Sequence, residues 1–203
     1  MSENKSAFFG GKHLAKLGIF AALSTALYFV KFPLPFFPQF LEINFSDIPA
    51  LIASFALGPL SGFIVVLIKI LIKLPFTSTL CSGELADLLI GGAFAVVAGI
   101  VYKKNRNKKG ALLGVTFGTV ASVVVAMILN RVLILPFYMA VMNIPFEAIV
   151  NMCAAAMPFI NQSNFYPCYI FVAILPFNLL RCAVASALTW LVYKRISNLL
   201  NRM

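Results

Sequence analysis

The sequence predicts an all-α, polytopic membrane protein with six transmembrane helices and both the N- and C-termini in the cytoplasm. Of its 203 residues, 62% are hydrophobic, compared with roughly 45 to 50% in soluble domains. A spanning helix needs about 20 apolar residues, so we expect residues 1–203 to form one integral-membrane domain. Apolar segments between prolines and basic breaks predict spans at about 14–30, 46–57, 60–74, 84–102, 111–138 and 169–193.

The distribution of charge predicts the orientation. Basic residues cluster before the first span, between the fourth and fifth, and at the C-terminus: Lys5, Lys12 and Lys16; Lys103, Lys104, Arg106, Lys108 and Lys109; Lys194, Arg195 and Arg202. Such clusters mark cytoplasmic ends. Five of the six acids lie elsewhere, so we expect a ligand cavity near the outer face: Glu42, Asp47, Glu84, Asp87 and Glu147.

Prolines and short runs define the outer segments. The first span is interrupted by three prolines in the segment 31–38, which disfavour helix and predict a stiff aromatic loop. Ser46 or Asp47 is suited to cap the second helix, with Pro49 in its first turn. That helix ends before Gly58 and is shorter than the hydrocarbon core, so it must tilt, thin the bilayer or pack inside the protein. Residues 143–167 are expected to form a long outer segment with a short helix.

The sequence argues against several kinds of chemistry. It has no G-x-x-x-x-G-K-[ST] segment that would bind nucleotide phosphates, and its one histidine, His13, precedes the first span. An enzyme mechanism therefore lacks a base within the membrane. The four cysteines have no metal-ligand spacing, so no metal site is expected. Cys153 and Cys168 either pair in an outer loop or remain unpaired apolar side chains.

Ionisable residues at membrane depth usually face a cavity or a partner. Arg131 and Arg181 are such residues, and Asn130 and Asn178 lie beside them. Either these side chains reach a ligand, or the asparagines bond neighbouring helices while the arginines extend to the interface. Four further candidates each have two alternative roles. Glu84 and Asp87 either cap the fourth span or contact a ligand, and Glu42 and Asn44 either close over a ligand or lie in a solvated loop.

The first span carries a face of small residues, which allows another helix to approach closely. Its members are Gly18, Ala21, Ala22 and Ala26. Such a face serves either internal packing or partner binding.

Several segments resemble the substrate-binding S components of energy-coupling factor (ECF) transporters, and in particular their riboflavin-binding RibU type. The resemblance covers essentially the whole chain and is carried, in order, by KFPLPF at 31–36, LEINFSDIPA at 41–50, LGPLSG at 57–62, GELADLLIG at 83–91, Asn130 with Pro136 and Tyr138, and NLLR at 178–181. The RibU type commonly has lysine where this chain has Arg181.

The resemblance implies a six-helix protein that binds riboflavin in an outward cavity and delivers it inward. Its implied partners are a membrane coupling protein (the T component), which Ala22 and Ala26 would contact, and two ATPase subunits. Phe36, Phe37 and Phe40 would cover the apolar end of the flavin. Polar contacts would come from Asn178, Arg181, Asn130, Glu84, Glu42, Asn44 and Tyr138. The alternatives are an S component for a related vitamin or for FMN, or a stand-alone ion-coupled transporter.

Overall fold

The structure of the chain is a computed structural model that describes residues 10–77 and 79–200, without the side chains of 193–200. Four of the basic residues used to predict orientation therefore lie outside the described residues or side chains: Lys5, Lys194, Arg195 and Arg202. The described part of the chain is mostly helical, as predicted.

The helices are α1 (Gly11–Phe29), α2 (Asp47–Leu57), α3 (Pro59–Lys73), α4 (Ser82–Lys104), α5 (Lys108–Leu129), α6 (Leu135–Ala140), α7 (Phe146–Ala154), α8 (Phe165–Cys168) and α9 (Leu175–Leu200). A π-helical segment, Asn130–Ile134, joins α5 to α6 without a break, and another, Tyr169–Ile174, joins α8 to α9. A single 3-10 turn, Leu74–Phe76, ends α3. The short helix expected within 143–167 is confirmed as α7.

In the described part of the chain, four helices are long and apolar enough to cross a membrane: Pro59–Phe76, Ser82–Lys104, Lys108–Ala140 and Phe165–Val192. Helix α1 has 19 residues, but Lys12, His13 and Lys16 lower its mean hydropathy. Helix α2 has only 11 residues and covers about 17 Å at 1.5 Å per residue. By length and composition, the described part of the chain therefore has four clear candidate spans, as expected of a multi-pass helical protein.

The expectation of an all-α chain is wrong at the proline-rich segment. Strands β1 (Lys31–Pro33) and β2 (Glu42–Asn44) pair antiparallel, with Lys31 opposite Asn44 and Pro33 opposite Glu42. The prolines do end the helix, because they fix φ and lack a donor. The extended residues between them then pair with the returning chain, which the apolar pattern did not reveal.

The start of α2 also differs from the expectation of side-chain capping. Ser46 occupies the N-cap position but makes no side-chain cap. Instead, its backbone N–H and Oγ donate to Asn44 Oδ1, at 3.1 and 2.6 Å. The side chain of Asp47 is used in ion pairs described below. The other end of α2 is as predicted, because Gly58 adopts φ +108° and Pro59 begins α3 directly.

Helices α4 and α5 pack closely because α5 presents glycines to α4. A Cβ added at Gly114 would lie 2.7 Å from the carbonyl oxygen of Ala98, and one added at Gly118 would lie 2.9 Å from that of Phe94. Small residues at this spacing allow helix backbones to approach in membranes. The packing fixes the position of α4, which carries Glu84 and Asp87.

Candidate ligand-binding cavity

One cavity brings together eight of the side chains that the sequence indicated as ligand contacts. It is lined by Phe40, Glu42, Asn44, Glu84, Asn130, Tyr138, Asn178 and Arg181, among others. The cavity opens to the surface and has a volume of about 160 Å³. The lining comes mainly from the hairpin, the end of α3, α4, the π-helical segment Asn130–Ile134, α6 and α9. Residues far apart in sequence therefore converge on one space.

A buried cluster of two cations and two carboxylates, which we call the four-charge cluster, borders the cavity through Asp87 and Arg181. Its members are Asp47, Lys69, Asp87 and Arg181. Arg181 donates from Nε to Asp47 Oδ2 at 2.8 Å and from Nη2 to Asp47 Oδ1 at 3.1 Å. The same Nη2 pairs with Asp87 Oδ1. Lys69 Nζ lies 3.3 Å from Asp47 Oδ1. It also lies 3.0 Å from Asp87 Oδ2, but this second contact is an ion pair whose angles do not fit a hydrogen bond.

The cluster connects α2, α3, α4 and α9. The side chain of Lys69 is 0% exposed, and a charge buried to that extent is tolerated only when it is paired. Lys69 also donates to Ser46 Oγ at 2.6 Å and lies 5.1 Å from the centre of the Tyr28 ring. Gly91 leaves room for the cluster, since a Cβ there would lie 3.3 Å from Asp47 Oδ1. The positions of four helices therefore depend on mutual charge neutralisation.

Within the described part of the chain, Arg181 donates to the carboxylates of the cluster through Nε and Nη2, and Nη1 makes no hydrogen bond to them. Arg181 also lines the cavity. A guanidinium presents its donors in a fixed planar fork, so the carboxylates hold Arg181 in one orientation. The N–H groups of Nη1 are those that remain for a ligand.

A second buried pair lies higher on the cavity wall. Lys73 Nζ is 3.5 Å from Glu84 Oε1, and Glu84 Oε2 accepts hydrogen bonds from the hydroxyls of Thr77 and Thr79 at 2.8 and 2.9 Å. Glu84 is in the first turn of α4, where a negative charge is favoured by the helix dipole. Its main partners nevertheless come from the loop between α3 and α4, so Glu84 fixes that loop at the cavity edge.

The hairpin forms the more exposed rim. Lys31 pairs with Glu42 across the two strands, and both side chains are about one-third exposed. Because Asn44 Oδ1 accepts from Ser46, the Asn44 side chain holds the turn into α2. Both Glu42 and Asn44 line the cavity, so neither is simply part of a solvated loop.

Both asparagines lie close to π-helical segments, which are frequent at functional sites: Asn130 begins the first segment, and Asn178 lies in the first turn of α9, after the second. Asn130 Nδ2 donates to the carbonyl of Ala126, and its Oδ1 accepts from the Tyr169 hydroxyl at 2.8 Å. Asn178 Nδ2 donates to the carbonyl of Ile174 at 2.9 Å. These bonds orient both amides at the cavity wall. Asn178 thereby keeps its Oδ1 acceptor and one N–H for another partner.

An aromatic wall faces these polar groups. Phe40 contacts the Tyr138 ring edge-on and the Tyr169 ring at a tilt, with ring centres 6.4 and 6.3 Å apart. Phe177 also lines the cavity. The predicted grouping with Phe36 and Phe37 does not hold here, because Phe36 is 78% exposed and Phe37 packs against Phe177 outside the lining residues. Proline-rich loops place successive side chains in directions that the sequence does not specify.

Sequence reasoning missed the role of Asp47 and misjudged Arg131. Arg131 does not line the cavity; its guanidinium lies over the Tyr166 ring, 4.0 Å from the ring centre. A signal for Asp47 was available: Lys69 and Lys73 lie in an apolar helix and must find carboxylates. The acids nearest to them in sequence are Asp47, Glu84 and Asp87, which are the partners found.

The cysteines are all free thiols in the structure, so the alternative of a Cys153–Cys168 disulfide is not the arrangement found. Cys153 is 0% exposed and packs in an apolar core with Phe165 and Tyr169. Its position in α7 is outside the clear spans. Burial raises the pKa of the Cys153 thiol to about 12, which keeps it protonated and unreactive.

The small-residue face of α1 divides in two. Ala21 is buried against the rest of the protein, whereas Gly18, Ala22 and Ala26 are exposed. Internal packing within this chain therefore does not account for Ala22 and Ala26.

Together, the fold and the cavity define a multi-pass membrane protein with a binding site for a small molecule. Residues 12–193 match the family model described as "ECF transporter, substrate-specific component", and the chain belongs to this family. The family is a substrate-binding transporter component rather than an enzyme.

Two known proteins and one solved structure illustrate the relationship. The chain is 32% identical to the riboflavin transporter RibU of Staphylococcus aureus (strain TCH60), over 95% of this chain and 94% of that protein. It is 28% identical to the riboflavin transporter FmnP of Bacillus subtilis (strain 168), over 91% and 92%. A solved structure titled "Structure and mechanism of the S component of a bacterial ECF transporter" superposes with a TM-score of 0.74 at 32% identity, covering 93% of this chain and 97% of that chain.

Proposed function

We propose that this protein binds riboflavin from outside the cell and delivers it inward as the substrate-specific subunit of an ATP-driven ECF transporter. The relatives described above are named as riboflavin transporters. The cavity combines an aromatic wall with amide, carboxylate and guanidinium groups. Riboflavin needs both, since it has an apolar dimethylbenzene end, a pyrimidine edge of donors and acceptors, and a ribityl chain of hydroxyls.

The observation that carries the choice of riboflavin is the charge balance of the cavity. Its cations and carboxylates are already paired with one another, in the pairs Lys31–Glu42 and Lys73–Glu84 and in the four-charge cluster. A neutral ligand such as riboflavin can enter without leaving a buried charge unpaired. FMN would bring a phosphate of about −1.5 to −2 charge, and an unpaired charge in such a site is costly.

The roles of the residues follow from their remaining hydrogen-bonding capacity. Asn178 has an acceptor and a donor for the pyrimidine edge, and Arg181 Nη1 donates to a ring carbonyl or nitrogen. Phe40 and Tyr138 cover the apolar end. Ribityl hydroxyls bond to Asn130, Glu84, Glu42 and Asn44, whose side chains line the same cavity.

The proposal includes six membrane-crossing helices in a single domain, with both termini in the cytoplasm. The two crossings beyond the four clear spans are α1 and the short α2, which is buried along most of its length and packs inside the protein. The exposed basic residues at 103–109 lie on the cytoplasmic side. The cavity then opens outward.

The proposed partners are a membrane coupling protein and two ATPase subunits. Ala22 and Ala26 are exposed on α1, and small residues allow a partner helix to approach closely. We assign this face to the coupling protein.

The test is a titration of the purified protein with riboflavin and, separately, with FMN. Binding is monitored by the quenching of flavin fluorescence. Riboflavin is expected to bind with one site per chain, and FMN at least about tenfold more weakly, a difference of about 1.4 kcal/mol. Asn178→Ala should weaken riboflavin binding, whereas Asn151→Ala, an exposed asparagine in α7, should not. Equal affinity for FMN, or no binding of either flavin, would reject the proposal.

A further inference from the structure

A second cleft lies at the opposite end of the bundle from the candidate cavity, between the start of α5 and the C-terminal part of α9. Phe55 and Tyr102 close one side, with ring centres 4.8 Å apart. Leu112 and Val115 of α5 face Ala187 and Trp190 of α9 across it. The cleft has a volume of about 560 Å³, and its lining is mostly apolar. Nothing in the proposed riboflavin site uses it.

Two hydroxyls in this cleft lack partners. Thr189 is 2% exposed, and neither its Oγ1 nor Ser186 Oγ has a hydrogen-bond partner in the described part of the chain. Both residues line the cleft. Serine and threonine in helices commonly bond to the carbonyl four residues earlier, but these two do not. A buried hydroxyl without a partner is costly, so an acceptor from outside the chain is indicated.

The mouth of the cleft is positively charged. Lys108 and Asn107 line it at the first residues of α5, where the helix dipole favours an anion. Lys108 belongs to the exposed basic connection 103–109, which has five lysines and arginines and no acid. Basic residues beside a membrane helix attract the anionic lipids of the cytoplasmic leaflet.

We propose that this cleft binds one anionic glycerophospholipid. The phosphodiester lies at the N-terminus of α5 beside Lys108, an ester carbonyl accepts hydrogen bonds from Thr189 and Ser186, and one acyl chain runs along Leu112 and Val115. The basic mouth, the two hydroxyls and the apolar lining match the three kinds of group in such a lipid: the phosphate, the ester carbonyls and the acyl chains.

Trp190 provides the test because it is the only tryptophan in the chain and lines the cleft. The protein is placed in phosphatidylcholine nanodiscs that contain increasing fractions of brominated phosphatidylglycerol, and quenching of Trp190 emission is recorded. We expect saturable quenching at a mole fraction several-fold lower than that required with brominated phosphatidylcholine.

Matched variants separate this site from general charge attraction. Lys108→Gln and the isosteric Thr189→Val should each raise the half-saturating fraction several-fold. Lys103→Gln removes the same charge from an exposed position that does not line the cleft, and should have a clearly smaller effect. Equal quenching by the two brominated lipids, or equal effects of the two lysine variants, would overturn the proposal.

Riboflavin binding measured by flavin emission in the same discs keeps this inference separate from the proposed function. A variant that loses lipid quenching but still binds riboflavin is folded, and locates the defect in the cleft. If brominated lipid never quenches Trp190 selectively, and only an added coupling module alters its emission, then the cleft is a protein interface and the lipid proposal is wrong.

Discussion

Arg181 Nε donates a hydrogen bond to Asp47 Oδ2 at 2.8 Å, and this contact joins α9 to α2 across 134 positions of sequence. The same guanidinium holds Asp87 of α4. Arg181 is therefore both a candidate ligand contact and a structural link. An arginine suits this double role better than a lysine, because its planar fork can bind two carboxylates and still present a donor.

Asp47→Asn is expected to destabilise the protein by about 3 to 5 kcal/mol, since removing one partner leaves buried cations uncompensated. A lower midpoint of thermal unfolding in detergent would show this. Glu42→Gln is the control, because it removes a carboxylate charge from the more exposed ion pair with Lys31. Exposed ion pairs contribute only about 0 to 1 kcal/mol to the free energy of unfolding. Equal effects of the two variants would contradict the structural role of the four-charge cluster.

Tyr169→Phe should weaken riboflavin binding severalfold, by about 1 kcal/mol, while the fold is retained. The Tyr169 hydroxyl is the donor that holds Asn130 Oδ1 at 2.8 Å, so its loss frees the amide to rotate. Affinity is measured by flavin fluorescence. Tyr166→Phe serves as the control, because the Tyr166 ring stacks with Arg131 away from the cavity. Unchanged affinity in Tyr169→Phe would show that Asn130 needs no positioning.

Ala22→Trp and Ala26→Trp are expected to leave riboflavin affinity unchanged and to abolish ATP-dependent riboflavin uptake by the assembled transporter. Both positions are exposed on α1 and remote from the lining of the cavity, so a bulky side chain would block only an approaching helix. Val124→Trp places the same side chain on an exposed position of α5. If all three variants transport equally well, α1 is not the partner face.

Cysteine labelling tests the orientation. Cys81 is exposed in the loop before α4, so a membrane-impermeant maleimide added to intact cells should modify it. Cys153 should stay unmodified, because burial raises its thiol pKa to about 12. A cysteine introduced by Asn105→Cys, in the basic connection, should react only after the membrane is opened. The reverse pattern at Cys81 and position 105 would invert the proposed topology.

Most helices, and the polar cavity residues Asn178 and Arg181, could be predicted from sequence because their signals are local, whereas Phe40 and Tyr138 were indicated only by the family resemblance. Some features indicate their surroundings without any knowledge of which residues contact them in the fold. These are the apolar runs, the break at Gly58 and Pro59, and the intramembrane Asn178 and Arg181. The hairpin was missed because the pairing of Lys31–Pro33 with Glu42–Asn44 depends on a loop closure that no periodicity encodes. The partners of Arg181 were missed for a similar reason: Asp47 precedes a helix and was expected to cap it, but the demand of buried Lys69 for a counter-ion prevails.

Native mass spectrometry of the detergent-purified protein tests directly whether riboflavin is the ligand. After incubation with equal concentrations of riboflavin and FMN, we expect one added mass per chain, equal to that of riboflavin. Asn178→Ala combined with Arg181→Ala should lose this adduct. A bare chain after incubation, or an adduct with the mass of FMN or of another small molecule, would contradict the assignment of riboflavin as the ligand.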